Sequence, residues 1–233
     1  MKLTIVTAYH NRKELFLNTY HRLNNHPLRD LFEIVVVNDG SDEEHSLEHL
    51  NLDIVLITID KKDKKWINPC VPFNIGLTYF DKINSDIVII QNPECIHVGD
   101  IISEALKIKP NEYIVFGCYS VGKNTDINNF EFVNSGVTRD GTDGWYQHSK
   151  YRNHMLHFCS ALRKEDLVFF DQEYKDGIGY DDNDFLLQIQ RKGMNIKCID
   201  DPYVIHQYHG TTNYSNRELV KKNYDLYVRK RNN

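Results

Sequence analysis

Three carboxylates fall within four positions at Asp181, Asp182 and Asp184, in the segment Gly177-Ile178-Gly179-Tyr180-Asp181-Asp182-Asn183-Asp184-Phe185. The apolar stretch that follows, Phe185-Leu186-Leu187-Gln188-Ile189, reads as a helix, so the acids stand at its N-terminus. A helix dipole favours ionised carboxylates there, and a general base must be ionised to accept a proton. The same residues read, more plainly, as a heavily capped helix. The spacing of a calcium loop closed by a Glu is absent.

Glu94, in Gln91-Asn92-Pro93-Glu94, follows an apolar run and could hold a divalent metal beside a diphosphate. Mg2+ and Mn2+ prefer oxygen ligands and borrow several from substrate phosphates. One carboxylate makes a thin site, so a second protein ligand is needed. His206-Gln207-Tyr208-His209 supplies it, one imidazole for the metal and the other for phosphate. Taken singly, Asn-Pro-Glu is an ordinary turn and either histidine an ordinary strand end.

Asp39, in Asn38-Asp39-Gly40-Ser41-Asp42, can accept hydrogen bonds from a base or a ribose. A β-to-α turn with a helix cap uses the same residue types. In Thr7-Ala8-Tyr9-His10-Asn11-Arg12, the aromatic ring could stack on a base and Arg12 could meet phosphate. A polar loop opening a helix is the alternative. Asp143-Gly144-Trp145-Tyr146 sits in a Gly/Asp-rich stretch, Thr138–Asn153, that reads as a mobile loop. Trp145 is then either a lid over a ligand or a packed aromatic.

The elements that must position these groups are partly legible. Leu3–Ala8, Glu33–Asn38, Ile54–Ile59 and Asp86–Ile90 read as strands, with helices over Arg12–Asn24 and Val71–Phe80. Ile34-Val35-Val36-Val37 shows no alternation, as expected of a strand covered on both faces. Alternating strands and helices imply βαβ units and a parallel sheet, whose ligands bind beyond the carboxyl ends of the strands. The polar residues after each run should therefore share one crevice. Further strands are expected over Tyr113–Cys118, Phe130–Val137, Met155–Leu162, Ile196–Ile199 and Tyr203–Ile205. Helices are expected over Asp181–Lys192 and from Ser215, with Leu219, Tyr224 and Tyr227 as docking residues.

Composition sets outer limits. The 233 residues fit one large domain, and a net charge of −5 gives no pointer to nucleic acid. No stretch has the apolar length of a membrane span, and Met1–Thr7 reads as a strand rather than a signal peptide. The expected location is cytoplasmic. Five cysteines, odd in number and widely spaced, read as reduced buried thiols.

In this order, the segments resemble the family 2 glycosyltransferases of the GT-A fold, over roughly residues 1–210. Thr7-Ala8-Tyr9-His10-Asn11-Arg12 is similar to the family's Tyr-Asn-Arg loop, and Val37-Asn38-Asp39-Gly40-Ser41 to its Val-Asp-Asp-Gly-Ser segment. Phe73-Asn74-Ile75-Gly76 resembles its Arg-Asn-x-Gly helix start, and Phe170-Asp171-Gln172-Glu173 its Phe-Asp-Glu stretch. The acidic run resembles the Glu-Asp-Asp segment of the galactosyl- and N-acetylgalactosaminyltransferase branch. The departure is at the metal motif. Asp-x-Asp is replaced, with Glu94 in the place of the metal-binding acid and the neutral Asn92 in the place of the other.

The resemblance implies an α/β GT-A fold: a Rossmann-like, mostly parallel sheet flanked by helices with a fused acceptor-binding half. It implies a donor-binding half over 1–100, an acceptor and catalytic half over 101–210, and a helical tail over 211–233. It implies an inverting hexosyltransferase using a nucleotide-sugar, in this branch a UDP-sugar, and a glycan, protein or lipid hydroxyl. Asp182 would be the base, with Asp181 beside it. Thr7, Ala8, Tyr9, Asn11, Arg12, Asp39, Asn74 and Asn92 would hold the nucleotide-sugar. Glu94, His206 and His209 would hold Mn2+ or Mg2+, and Trp145 and Tyr180 would face the acceptor or form the lid. The rivals are a catalytically impaired nucleotide-sugar-binding protein and a sugar-phosphate nucleotidyltransferase. The latter lacks its Gly-rich first loop, since residues 7–12 contain no glycine. The basic tail, Arg217–Arg231, also suits a membrane surface, or simply a solvated helix face.

Overall fold

The computed structural model describes residues 1–42, 47, 50–128, 143–210 and 212–232. Among these residues, one nine-stranded sheet carries the fold. Its first half is parallel. Strand β1 (Leu3–Tyr9) lies between β2 (Phe32–Asp39) and β4 (Ile87–Gln91), and β3 (Ile54–Ile59) extends the sheet beyond β2. Helices α1 (Lys13–His21) and α2 (Cys70–Lys82) make the crossovers.

Side chains alternate across a strand, and here both sets are buried. Leu3 and Ile5 join Phe16 and Tyr20 of α1 in one core. Val6 and Ala8 join Phe73 and Leu77 of α2 in the other. Two covered faces explain why β1 and β2 lack polar alternation. Gly76 sets how closely α2 lies on the sheet, because a Cβ there would stand 2.5 Å from Val6 Cγ1.

The second half is mixed. Strand β5 (Cys95–Val98) and helix α3 (Ile101–Ala105) precede β6 (Glu112–Ser120), β7 (Gly144–Gln147), β8 (Cys159–Arg163), helix α4 (Asp181–Arg191), β9 (Asn195–His206) and helix α5 (Arg217–Arg231). The sheet runs β3-β2-β1-β4-β8-β6-β9-β5, with β7 paired to β6. β8 is antiparallel to both β4 and β6, and so joins the halves, while β9 is parallel to β6.

Three sequence expectations change here. Ile196–Ile199 and Tyr203–Ile205 are parts of one strand, β9. The polar Asp200 and Asp201 between them are taken up where the register with β6 shifts at Phe116/Gly117. The strand expected over Met155–Leu162 begins only at Cys159. Within the supposed loop 138–153, Gly144–Gln147 is a strand pinned antiparallel to β6. The strand expected over Phe130–Val137 lies outside the described residues. Cys70, Cys95, Cys118 and Cys159 are buried, and all five cysteines are free thiols. No helix of the described residues is long and apolar enough to cross a membrane.

Candidate active site

The carboxyl ends of β1 and β2 are laced together. His10 Nδ1 lies 2.9 Å from the Asp39 carbonyl. The Asn11 N–H donates to Ser41 Oγ, and Asn11 Oδ1 accepts from the Asp42 N–H. Asp39 ends β2, where Trp66 Nε1 donates to Oδ1 at 2.8 Å and Lys64 Nζ to Oδ2 at 2.7 Å. The carboxylate is therefore held by two donors from the segment that follows β3.

The turn after β4 places Glu94 one residue before β5, whose Cys95 lies opposite His206 at the end of β9. That register brings Glu94 against the histidine segment. Glu94 Oε1 lies 2.9 Å from Arg12 Nη1, 3.3 Å from His206 Nε2 and 3.4 Å from His209 Nε2. Its Oε2 is buried without a hydrogen-bond partner. Burial alone would raise the carboxyl's pKa. The Arg12 guanidinium and the imidazoles of His206 and His209 outweigh burial and hold it well below the usual range.

The acidic run opens α4 after two left-handed residues, Gly179 (φ +69°) and Tyr180 (φ +65°). Asp181 Oδ1 accepts from Asn68 Nδ2 at 2.9 Å. Asp184 accepts from the Tyr174 hydroxyl and Gln188 Nε2. Asp182 accepts only a local bond, from the Asn183 N–H at 2.8 Å, among the hydrogen bonds of the described residues. Burial, then the charge of Asp181, pushes the Asp182 carboxyl up to about 7. The helix dipole's preference for ionised carboxylates is opposed here, since burial also raises Asp181 and Asp184. Tyr214 lies beside this run. Its ring stands about 3.4 Å from where a Gly179 Cβ would lie, while most of the side chain remains exposed.

No family model and no curated protein matches the sequence. Solved structures do. The S. aureus TarS 1–349 structure in complex with UDP-GlcNAc superposes with a TM-score of 0.65 at 15% identity, over 93% of this chain and 61% of that one. The mannosyltransferase PcManGT from Pyrobaculum calidifontis, in complex with GDP-Man and Mn2+, gives 0.61 at 14% identity, over 98% and 64%. The chain thus spans about three-fifths of the length of these neighbours. The fold is GT-A-like.

In this GT-A-like frame the expected site residues divide. Arg12, Glu94, His206 and His209 meet, and Asn11 and Asp39 join the neighbouring strand ends through Ser41, Asp42 and His10. Asn92 flanks Glu94, its N–H donating to the Phe158 carbonyl. Thr7 and Ala8 are buried strand residues. Tyr9 is corrected as a base-stacking ring, being buried and stacked on Phe16 at 5.5 Å. Trp145 is corrected as a lid, since it sits in a small core with Tyr119 and Tyr203. The Asn74 amide has a structural task, exchanging both hydrogen bonds with the Phe170 backbone. The Tyr180 ring packs on Tyr224 and Tyr227 of α5.

Gln207 was not legible as a site residue. Its Nε2 donates to the carbonyls of Glu94 and Leu15 and to Thr19 Oγ1, and its Oε1 accepts from Asn18. Its N–H also donates to the Glu94 carbonyl. It bolts the histidine segment to the Glu94 turn and to α1. Lys64, Trp66 and Tyr214 were likewise unseen, because each reaches the site from a segment without a motif.

The donor set fits a divalent ion. Glu94, His206 and His209 offer ligand atoms within 4.8 Å of one another, and the unpartnered Glu94 Oε2 has its bonding capacity to spare. A carboxylate with two imidazoles suits Mn2+ better than Mg2+.

Proposed function

We propose that this chain is an inverting glycosyltransferase that moves a sugar from a nucleotide-sugar, a UDP-sugar, to a hydroxyl acceptor. The galactosyl- and N-acetylgalactosaminyltransferase branch is the reading favoured by the acidic run. One observation carries the proposal. Within a GT-A-like fold, Arg12, His206 and His209 converge on the buried Glu94 carboxylate at the strand ends, and the half-buried Asp182 carboxyl at the start of α4 is pushed up to about 7. The structural neighbours support the donor class: TarS is seen in complex with UDP-GlcNAc, and PcManGT in complex with GDP-Man and Mn2+.

Asp182 takes the proton of the acceptor hydroxyl, and a base with a pKa near the working pH suits that task. The acceptor oxygen attacks the anomeric carbon from the face opposite the nucleoside diphosphate. The anomeric C–O bond breaks, its electrons leave with the diphosphate, and the configuration inverts. Arg12 faces the leaving diphosphate with a fixed positive charge. Glu94, His206 and His209 would hold Mn2+, which supplies charge stabilisation for the departing diphosphate. Asp39 and Asn11 take the nucleoside side, with Asn92 beside the metal ligands. Asp181 orients the neighbourhood of the base. The acceptor hydroxyl belongs to a glycan, a protein side chain or a lipid.

The experiment is a screen of UDP-GlcNAc, UDP-galactose, UDP-glucose and GDP-mannose with Mn2+, scoring release of nucleoside diphosphate. The expected result is turnover of a UDP-sugar that Asp182→Asn abolishes. Binding without release by the wild type would leave a nucleotide-sugar-binding protein instead. Full turnover by Asp182→Asn would remove the base.

A further inference from the structure

Helix α5 is exposed or half-buried along its length with one exception, Asn223, which is completely buried. A buried amide is costly unless hydrogen-bonded. Its Nδ2 donates to the Tyr174 carbonyl at 3.1 Å and to the Gly179 carbonyl at 2.8 Å. Its Oδ1 has no hydrogen-bond partner and is lodged against Gly177, where a Cβ would stand 2.1 Å from it. Glycine at 177 leaves the room in which Asn223 sits.

The helix holds the same loop in two further ways. The Ile178 N–H donates to the Leu219 carbonyl at 3.2 Å. The Tyr180 ring packs on Tyr224 and Tyr227, with centroids at 5.4 and 5.8 Å. Asn68 Nδ2 also donates to the Gly179 carbonyl and to Asp181 Oδ1. All of these contacts converge on a turn whose two consecutive residues, Gly179 and Tyr180, are left-handed. A tyrosine in that region is strained and persists only where its surroundings over-determine it. Asp182 is the second residue after the turn, so a change in the turn would move it.

We infer that Asn223 is a positioning residue for Asp182, and that α5 is a clamp on the acceptor-side loop. This rests on the proposed role of Asp182 as base. Asn223 touches no reacting atom. It fixes the turn that aims the carboxylate.

The test uses the full chain. The Asp182 carboxyl is followed by 13C NMR titration in wild type, Asn223→Ala, Asn223→Asp and Gly177→Ala, and nucleotide-sugar hydrolysis is measured beside it. Asn223→Asp keeps the shape and removes the two donors, should Asn223→Ala fail to fold. The expected result is a titration midpoint falling from about 7 towards the ordinary carboxylate range as water reaches a loosened loop. Hydrolysis should fall about tenfold to a hundredfold, the usual consequence of a small misplacement. Gly177→Ala, which displaces Asn223, should do the same, and the Gly177→Ala/Asn223→Ala pair should be no worse than either alone. A folded Asn223 variant whose Asp182 titrates as in wild type overturns the inference, even if its melting temperature drops. Loss of the base reading is separate: it shows as unimpaired hydrolysis by Asp182→Asn.

Discussion

Arg12 and Glu94 form an ion pair of 2.9 Å that ties the loop after β1 to the turn between β4 and β5. The guanidinium meets the same Glu94 oxygen as His206 and His209. A divalent ion on Glu94 must therefore share that carboxylate with a fixed positive charge. Like charges a few ångströms apart repel strongly in a partly buried site. Arg12→Ala should tighten Mn2+ binding by about tenfold, roughly 1.4 kcal/mol. It should also weaken UDP binding, because the phosphate contact proposed for Arg12 would be lost. Mn2+ electron paramagnetic resonance and calorimetry would read the two effects, and weaker Mn2+ binding would count against the arrangement.

The second relationship is between Gln207 and the backbone of Glu94. Two hydrogen bonds reach the Glu94 carbonyl, one from the Gln207 side chain and one from its N–H. Groups that orient metal ligands typically contribute about tenfold to a hundredfold to metal affinity. Gln207→Ala should lower Mn2+ affinity by about that factor, with a stability cost of about 1–3 kcal/mol from the buried partners left unpaired. A Mn2+ affinity equal to wild type, with only the stability lost, would leave Gln207 a purely structural residue.

The Asp182 and Glu94 carboxyls pull stability in opposite directions with pH. Asp182 is raised from 3.8 to about 7, so the folded protein holds its proton more tightly than the unfolded chain. Its contribution is complete below 3.8 and is lost as pH rises through about 7. Glu94 is depressed, so its contribution is present above its ordinary 4.5 and is lost as pH falls through its low folded value. Asp182→Asn removes only the first effect. The variant should gain about 1–3 kcal/mol on wild type between about pH 4 and about pH 8. Urea melts at both ends would show it; a difference that does not change with pH would contradict the raised carboxyl.

How much of this was legible follows from where the information lay. The runs of β-branched residues in β1 and β2 announced strands because both of their faces are covered. That the polar residues at their carboxyl ends lie together was then a consequence of topology. Arg12, Glu94, His206 and His209 could be nominated because their side chains carry chemistry. What brings them together was not legible: it is the β5–β9 register, with Cys95 opposite His206, and β5 is only four residues long. Aromatic residues misled most. Tyr9 and Trp145 sit in polar or Gly-rich segments, yet a large ring contributes more to a core than to a loop, and both are buried. The tail also reads differently in three dimensions. Lys221, Lys222, Arg229 and Lys230 each meet a carboxylate, which leaves less charge for an anionic lipid surface.

Gly76 offers a sharper check on the fold that positions all of this. The residue lies in α2, where glycine ordinarily costs helix stability of about 1 kcal/mol relative to alanine. By propensity alone, Gly76→Ala should stabilise. The packing says the reverse, because the added methyl would stand 2.5 Å from Val6 Cγ1 and 3.3 Å from Val37 Cγ2. Val6 and Val37 are fully buried in strands paired on both edges, so neither can move aside without disturbing the sheet. Overpacking of this kind typically costs about 1–3 kcal/mol. The net expectation is a destabilised protein, with UDP binding weakened as β1 and β2 shift beneath Arg12 and Asp39. Denaturant melts and UDP calorimetry on Gly76→Ala would measure both, and a variant as stable as wild type would mean that α2 stands farther from the sheet.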